Sequence, residues 1–398
     1  MFGAVAEHTH RSARAPTGAA DPGCAGGFAE ARAAALPECC WTKTRTAAMT
    51  NRAAWLPLMA DAPKISVVMP ARNAAGTLPV ALESIRCQTI ADWELLAVDD
   101  GSKDETGLIL ESAARADARI HVLSQAALGV VEALQRGCAA ARGEVIARMD
   151  ADDRMAPERL RRQLQFLECH PQIGVVSCRV RHGGDQTTQA GYEAYVAWTN
   201  SLLTPADIAL RRFVESPVVH PSVMFRRELV HRHGGYASGD FPEDYELWLR
   251  WMDAGVPFGK VDAELLIWND PPARLSRTEL RYRTGAFYRT KCVYLARWIK
   301  RQVEPSREIW LWGAGRITRR RFLTLNSAGV AISGFIDVDV KKLGCLRDGR
   351  PVVAPCHLPS REQAFILAAV STRGARDLIG AELNGRGRTE GSDYLLVA

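Results

Sequence analysis

The sequence predicts an α/β protein: a Rossmann-like, mostly parallel sheet flanked by helices, followed by a second, smaller Rossmann-like α/β unit. Short apolar segments alternate with amphipathic helical segments from Lys64 onwards, and the same alternation begins again after Glu304. The first apolar segments also end in polar or acidic residues. Strands that alternate with helices form parallel sheets through right-handed crossovers, and such sheets bind ligands at the carboxyl ends of their strands.

Composition narrows the class of protein. The chain has 398 residues, of which 47% are hydrophobic and 24% charged, as is typical of a globular protein with two or three domains. A net charge of +6 is modest for this length and gives no reason to expect a nucleic-acid partner. Ten cysteines without a CxxC pair indicate neither a zinc site nor a disulfide framework. There is no apolar run of about 18 residues and no apolar core of a signal peptide, so we expect a soluble, cytoplasmic protein.

We predict four parts along the chain. Residues 1–61 are rich in alanine, glycine, arginine, proline and threonine without a sustained period. We expect them to be disordered, or to precede a true translation start at Met49 or Met59. A regulatory extension is the alternative. The other parts are a first α/β domain, a basic aromatic helical linker and a second α/β domain, at residues 62–275, 276–303 and 304–398.

The first strands and helices follow in order. Residues 65–69 form an apolar strand that Pro70 ends, and Thr77 caps a helix whose apolar residues recur at helical spacing. The second strand, residues 94–98, runs into Asp99-Asp100-Gly101-Ser102, where glycine permits a tight turn. A strand at residues 120–123 and a helix around residues 130–141 repeat the pattern.

The next strand, residues 145–149, ends in three acids within four positions: Asp150, Asp152 and Asp153. Carboxylates this close repel one another unless a cation lies between them, and hard oxygen ligands favour Mg²⁺ or Mn²⁺. This pattern therefore predicts a divalent cation site. The alternative is an acidic loop that caps the helix beginning at Pro157.

Several of these runs together resemble a known family. Residues 66–73, the turn at residues 98–102 and Met149-Asp150-Ala151-Asp152-Asp153 are similar to the family 2 glycosyltransferases of GT-A fold. Residues 220–227 and 243–250 resemble the acceptor half of bacterial members. The resemblance covers about residues 63–270, with its motifs in the family's order.

The resemblance implies a nucleotide-sugar site at the first two strands. In such enzymes the first-strand loop holds the nucleoside, which maps onto Pro70, Arg72 and Asn73. The acid of the turn after the second strand also holds the nucleoside in such enzymes, and this acid corresponds to Asp99 or Asp100. A carboxylate can accept the imide N–H of uracil, which favours UDP over GDP.

The resemblance also implies a metal site. Asp150 would face the ribose or a metal-bound water, and Asp152 would coordinate Mn²⁺ or Mg²⁺ between the two phosphates of the donor. His220 can ligate Mn²⁺ as a neutral imidazole, or bind the departing phosphate when protonated. The alternative is that His220 packs in a turn beside two prolines.

Glu243 and Asp244 are the acceptor-side candidates. One of the two carboxylates would deprotonate the acceptor hydroxyl and so allow attack with inversion at the anomeric carbon. The resemblance favours Asp244. On a helix that begins near Pro242, Asp244 shares a face with Leu247 and Glu243 lies on an adjacent face, so only one of the two acids can point squarely into the cleft. We expect the Leu247 face to point inward. The alternative is that both acids complement the helix dipole.

The linker and the second unit are less specific. Residues 279–303 mix arginine and lysine with aromatic residues, so they predict peripheral contact with the inner face of a membrane, or else a helix that buries its aromatic stripe. In the second unit, Gly313-Ala314-Gly315 follows a strand and residues 317–327 are predicted to form a helix. Residues 332–336 are predicted to form the next strand, which Asp337 ends as in a Rossmann fingerprint. Thr318 replaces the third glycine. The unit resembles small nucleotide-binding-like domains, and an empty structural module is the alternative.

We therefore predict an inverting, metal-dependent glycosyltransferase. Its donor would be a nucleotide diphosphate sugar, for which we favour a UDP-sugar, and its acceptor a saccharide or lipid-linked sugar in cell-surface polysaccharide biosynthesis. Two alternatives stay open. A sugar nucleotidyltransferase would normally carry a lysine in the loop after its first strand, and residues 71–76 have none. A catalytically silent nucleotide-sugar-binding protein is the other.

Overall fold

The computed structural model of the chain describes residues 62–184, 190–270, 277, 279–372 and 374–398. It contains an eight-stranded and a six-stranded sheet, each flanked by helices, which confirms the predicted fold class. The extension predicted for residues 1–61 lies outside the described residues.

The first sheet has the strand order β3-β2-β1-β4-β7-β6-β8-β5. Its strands, in chain order, are β1 Ile65–Ala71, β2 Trp93–Asp100, β3 Ile120–Gln125, β4 Val145–Arg148, β5 Arg154–Met155, β6 Val175–His182, β7 Met224–Arg226 and β8 Phe258–Trp268.

The parallel half of this sheet sets the place of the site. Strands β3, β2, β1 and β4 run parallel, whereas β7 runs antiparallel to both β4 and β6. The chain moves outward from β1 to β3 and then returns to place β4 on the other side of β1. The gap between the ends of β1 and β4 is thus the topological switch point, where open α/β sheets bind ligands.

The sheet is covered by helices with one buried face each. In the helix that follows the three acids, Leu160, Leu164 and Leu167 are buried as expected from their spacing. The helices are α1 Leu78–Arg86, α2 Thr106–Ala116, α3 Val130–Ala140, α4 Arg159–Cys169, α5 Ala190–Ser201, α6 Pro205–Arg211, α7 Glu228–His233, α8 Glu243–Asp253 and α9 Thr284–Gln302. Short 3-10 helices lie at His220–Ser222 and Leu280–Tyr282.

Strand β1 is longer than predicted, because it continues through Pro70 to Ala71. Its pairing with β4 involves only Ile65 to Val68, whereas its pairing with β2 extends to Ala71. Beyond Val68 the strand is therefore paired on one side only. A proline without an N–H is tolerated where no partner strand needs that donor.

The second sheet has the order β11-β12-β10-β9-β13-β14 and is parallel except for the β11–β12 hairpin. Its strands are β9 Glu308–Trp312, β10 Ile332–Ile336, β11 Leu346–Arg347, β12 Arg350–Val353, β13 Ala364–Ala368 and β14 Tyr394–Leu396. A 3-10 helix spans Pro355–His357. The helix predicted at residues 317–327 is two helices, and the helices of this part are α10 Arg316–Phe322, α11 Thr324–Ser327 and α12 Ala375–Gly385.

The acid of the incomplete Rossmann fingerprint, Asp337, is hydrogen-bonded to groups of its own sheet. Asp337 accepts hydrogen bonds from the backbone N–H of Ala314 at 2.9 Å and from Lys342 at 3.1 Å. These contacts tie the glycine turn to the end of β10, so the carboxylate has a structural function in this sheet.

Helix α9 joins the two sheets through a shared core. Its residues Tyr288, Tyr294 and Leu295 are buried in one cluster with side chains of α8 and of the second sheet. Arg297 and Arg301 of α9 form ion pairs with Asp253 at the end of α8. The aromatic stripe therefore packs inward, in agreement with the predicted alternative of a helix that buries its aromatic side chains. None of the helices within the described residues is long and apolar enough to cross a bilayer.

Candidate active site

A cavity of about 690 Å³ lies at the switch point of the first sheet. Every predicted site residue except Asp99 lines it. The structure thus brings these residues together from both halves of the sequence: Pro70, Arg72, Asn73, Asp100, Asp150, Asp152, His220, Glu243 and Asp244.

Asp100 organises the end of the cavity that lies at the end of β2. It is buried, and its carboxylate accepts hydrogen bonds from the backbone N–H groups of Leu128 at 2.8 Å and Gly129 at 3.0 Å, where α3 begins. The side chain of Gln125 donates at 2.8 Å, and Arg72 lies 3.5 Å away across the cavity wall. Because its donors come from three directions, the position of this carboxylate is fixed before any ligand binds.

Asn73 and Asp99 belong to a second set of contacts. Asn73 has a positive φ of 49°, and its side-chain oxygen accepts from the backbone N–H of Lys103 at 2.8 Å. Asp99 accepts from the backbone N–H and the hydroxyl of Ser102, at 3.1 and 2.6 Å. The carboxylate of Asp99 therefore shapes the turn, and of the two predicted acids it is Asp100 that reaches the cavity.

The acids after β4 form a cluster that fits a divalent cation. Asp150, Asp152 and Asp153 can each present an oxygen within 4.8 Å of the others, and His220 is not part of this group. Asp153 is buried and accepts from the backbone N–H of Asn269 at 2.8 Å. Three carboxylates form the hard oxygen set that Mg²⁺ or Mn²⁺ prefers.

Two buried arginines lie beneath this cluster. Arg148 donates to Asp150 at 2.6 Å. Arg159 is fully buried and donates to the backbone oxygens of Arg148 at 2.8 Å and Pro221 at 2.6 Å. Arg159 thereby connects the acid cluster to the segment that carries His220. The two guanidinium charges also offset part of the repulsion among the three acids.

His220 is held by aromatic neighbours. Its Nε2 atom lies 2.7 Å from the hydroxyl oxygen of Tyr236, and its ring contacts Trp248 edge-on at a centroid distance of 6.0 Å. Burial raises the pKa of Tyr236, so this side chain remains a phenol. The hydrogen bond engages one ring nitrogen and fixes the plane of the imidazole at the cavity wall.

Glu243 and Asp244 both line the cavity, which corrects the argument that only one of them can face it. They stand in the first turn of α8, so both side chains extend beyond the end of the helix instead of around its circumference. Leu247 is fully buried, as predicted. Both oxygens of Glu243 lie 2.8 Å from the hydroxyl of Tyr282, which donates to the carboxylate.

The two acids are electrostatically different. Burial, and then the neighbouring charge of Asp244, raise the pKa of Glu243 to about 7. Burial, and then the neighbouring charge of Glu243, also raise the pKa of Tyr282. Asp244 is the more exposed of the pair and accepts from the backbone N–H of Tyr245 at 2.7 Å.

We expect Glu243→Gln to stabilise the protein above neutral pH. In the folded state Glu243 keeps its proton up to about pH 7, whereas the unfolded chain releases it near pH 4.5. The folded state therefore binds more protons between these values, and the free energy of unfolding falls as the pH rises through them. Glutamine keeps an acceptor for Tyr282 and removes the charge, so the gain at pH 8 should be about 3 kcal/mol.

Urea unfolding of wild type and Glu243→Gln at pH 4 and pH 8 measures this gain. The exposed Glu264, changed to glutamine, serves as control and should show no pH-dependent difference. An equal difference between wild type and Glu243→Gln at the two pH values would contradict the expectation.

The sequence reasoning missed several site residues. Arg148 had a visible signal, because an arginine within an apolar strand just before three acids suggests a buried ion pair. Tyr282 and Asn269 had none, since they approach Glu243 and Asp153 from 39 and 116 residues away. Only the fold brings them to the cavity.

An open α/β sheet with an acid cluster at its switch point is the architecture of an enzyme that acts on a nucleotide-linked substrate. Residues 66–234 match the family model of glycosyl transferase family 2. The chain is 30% identical over 197 residues to the amylovoran biosynthesis glycosyltransferase AmsE of Erwinia amylovora, covering 48% of this chain and 69% of AmsE. It is 31% identical over 202 residues to the putative glycosyltransferase EpsE of Bacillus subtilis, covering 50% and 69%.

The chain belongs to glycosyl transferase family 2 and is a glycosyltransferase, which confirms the resemblance found in its motifs. Among solved structures it is similar to S. aureus TarS 1–349 in complex with UDP-GlcNAc, with a TM-score of 0.49 and 18% identity over 61% of this chain and 68% of that one.

Proposed function

We propose that this glycosyltransferase transfers a sugar, with inversion, from a UDP-sugar to a saccharide or lipid-linked acceptor, in the biosynthesis of a cell-surface polysaccharide. The observation that carries the proposal is the shared cavity. The ends of β1 and β4 supply groups for a nucleotide diphosphate, and the start of α8 supplies carboxylates for an acceptor. The name of the similar protein AmsE, which refers to amylovoran biosynthesis, supports the polysaccharide context.

In this proposal the nucleoside binds at the end of β1. Pro70, Arg72 and Asn73 form the wall beside it, and Asp100 accepts the imide N–H of uracil. The guanidinium of Arg72 is half exposed at the cavity, so it can move from Asp100 towards the nucleotide. A guanine offers an N–H as well, so a comparison of UDP-sugars with GDP-sugars tests the preference for uracil.

The acid cluster would hold Mn²⁺ or Mg²⁺, with Asp152 as the direct ligand. Asp150 is already bonded to Arg148, so we assign it to the ribose or to a water molecule on the ion. Asp153 is bonded to the backbone of β8 and fixes the loop. When bound, a divalent ion offsets the negative charge that develops on the leaving diphosphate.

His220 and Asp244 complete the proposed site. Because His220 is not part of the acid cluster, we assign His220 to the departing phosphate and not to the metal. Asp244 takes the proton of the acceptor hydroxyl as that oxygen attacks the anomeric carbon. Glu243, held by Tyr282, positions the start of α8.

We further propose that residues 62–275 are the catalytic domain and that residues 304–398 are a module docked on it through α9. The shared core around α9 supports this division. Contact with an anionic membrane surface would use the exposed basic side chains of α9, since its aromatic side chains are buried in the shared core or packed against it.

A donor screen tests the proposed function. The melting temperature of the protein is measured with UDP-, GDP- and CMP-sugars, with and without Mn²⁺, and release of free nucleotide is then assayed. We expect stabilisation and turnover with a UDP-sugar only when Mn²⁺ is present. Turnover of a GDP- or CMP-sugar alone would overturn the UDP assignment. Stabilisation without any nucleotide release would indicate a binding protein.

A further inference from the structure

Residues 214–217 form a segment of the cavity wall whose backbone is held by side chains from other elements. They lead from α6 towards the 3-10 helix that begins at His220. Three of their carbonyl oxygens accept side-chain hydrogen bonds: Val214 from Lys291 at 2.8 Å, Ser216 from Tyr195 at 2.9 Å, and Pro217 from Thr199 at 2.8 Å. Three of the four carbonyls of this segment are thus bonded to side chains of other elements, which restrains this part of the wall.

Two of the side chains that hold this segment are buried lysines. Lys291, on α9, also donates to the carbonyl of Val397 at 3.0 Å, and Lys260, on β8, lies 3.4 Å from the carbonyl of Pro217. Burial lowers the pKa of Lys291 to about 8 and that of Lys260 to about 7. A buried ammonium group bonded to carbonyls is costly, so the fold sets this segment in place at the expense of stability.

Glu215 is the side chain that this restrained segment presents to the cavity. It is half-buried, whereas all other residues from 213 to 219 are buried. It lines the cavity, and among the described residues no hydrogen bond or ion pair holds its carboxylate, although Lys291 and Arg376 interact with it electrostatically. A half-buried carboxylate to which no neighbouring N–H or O–H donates can accept a hydrogen bond from a ligand.

The charges around Glu215 restrict that ligand. The arginines that line the cavity, Arg72 and Arg148, stand at the ends of β1 and β4 and pair with Asp100 and Asp150. The acceptor side of the lining carries Glu215, Glu243 and Asp244, and no arginine or lysine of the described lining residues lies among them. A carboxylate or phosphate on a ligand here would meet like charges, whereas a hydroxyl group would find an acceptor.

We propose that Glu215 binds the acceptor by accepting a hydrogen bond from one of its hydroxyl groups, and that the acceptor sugar at this position is uncharged. This inference rests on the proposed function, because it assumes that the acceptor enters beside Asp244. Glu215 is thus a specificity residue: it selects a sugar with a hydroxyl in the correct place and rejects acidic sugars. Asp244 remains the group that takes the proton.

The test uses the full chain with the donor identified by nucleotide release, and a panel of soluble methyl glycosides: hexosides, hexosaminides and the matching uronosides. Wild type is compared with Glu215→Gln and with Glu264→Gln, an exposed control on β8. For each protein one measures the KM for acceptor, the KM for donor, kcat, and nucleotide release without acceptor.

We expect wild type to use a neutral glycoside about 10- to 100-fold more efficiently than its uronoside. Glu215→Gln should raise the acceptor KM by about 10- to 100-fold. It should also reduce the preference for the neutral glycoside over its uronoside. Its donor KM and its acceptor-free nucleotide release should stay within about twofold of wild type, since neither step involves Glu215.

Two results would overturn the inference while leaving the proposed function intact. One is an acceptor KM for Glu215→Gln equal to that of Glu264→Gln. The other is an unchanged acceptor KM with a large fall in kcat, which would make Glu215 the base. Failure of wild type to release nucleotide from any donor would instead overturn the proposed function itself, and the inference with it.

Discussion

Asp152→Asn should abolish the Mn²⁺-dependent stabilisation of this enzyme by its nucleotide-sugar donor and lower the turnover rate by about 10³-fold. Asparagine keeps the shape of the side chain but removes one negative charge from the cluster formed by Asp150, Asp152 and Asp153. The charge balance makes the loss large. Arg148 offsets part of the charge of Asp150, so binding of a divalent cation depends on every other carboxylate of the cluster.

Thermal unfolding in four conditions measures the effect: no addition, Mn²⁺ alone, UDP alone, and both together. The melting temperature without ligand should match wild type, since the change leaves the buried Asp153 and its bond to Asn269 intact. Asp377→Asn, an exposed change in α12, is the matched control and should respond to UDP and Mn²⁺ as wild type does.

An activity of the wild type that is unchanged in EDTA would defeat this prediction, as would full Mn²⁺-dependent stabilisation of Asp152→Asn. The first result would mean that the acids serve another purpose, and the two buried arginines would then supply most of the charge that binds phosphate. The second would move the direct ligand to Asp150 or Asp153.

The parts of the fold that the sequence predicts well are those in which local pattern and tertiary position agree. Strand β10 has the predicted bounds. It lies between two parallel neighbours, and such a strand is a continuous apolar run whose ends are easy to locate in the sequence. The helix predicted at residues 317–327 breaks at Leu323 instead. Apolar spacing shows which face of a segment is buried, but it does not show where the chain bends to keep that face against a curved surface.

The candidate site follows the same rule. Asp100, Asp150 and Asp152 are predictable because each lies at or shortly after the end of a strand, and the carboxyl ends of parallel strands meet at one edge. The functions of Glu243 and Glu215 depend on contacts that no local pattern encodes. Tyr282 reaches Glu243 from a separate 3-10 helix, and Lys291 reaches the segment of Glu215 from α9.

We expect Asp244→Asn to lower the turnover rate by about 10²-fold or more while the affinity for donor changes little. A sugar hydroxyl is too weak an acid to ionise near neutral pH, so attack with inversion needs a base on the face opposite the leaving diphosphate. The acids after β4 are on the leaving-group side in the proposed site. The base must therefore come from the acceptor side of the cavity, where Asp244, Glu243 and Glu215 lie.

The contacts of Glu243 favour Asp244 over Glu243 as the base. Both oxygens of Glu243 are engaged by Tyr282, and its raised pKa keeps it partly protonated near neutral pH. Steady-state kinetics of Asp244→Asn and Glu243→Gln, with the donor KM and acceptor KM measured separately, test the assignment. A group needed chiefly in the transition state lowers kcat and leaves both KM values nearly unchanged. If Glu243→Gln shows that loss and Asp244→Asn is nearly silent, the base is Glu243, and its raised pKa then serves to match its basicity to neutral pH.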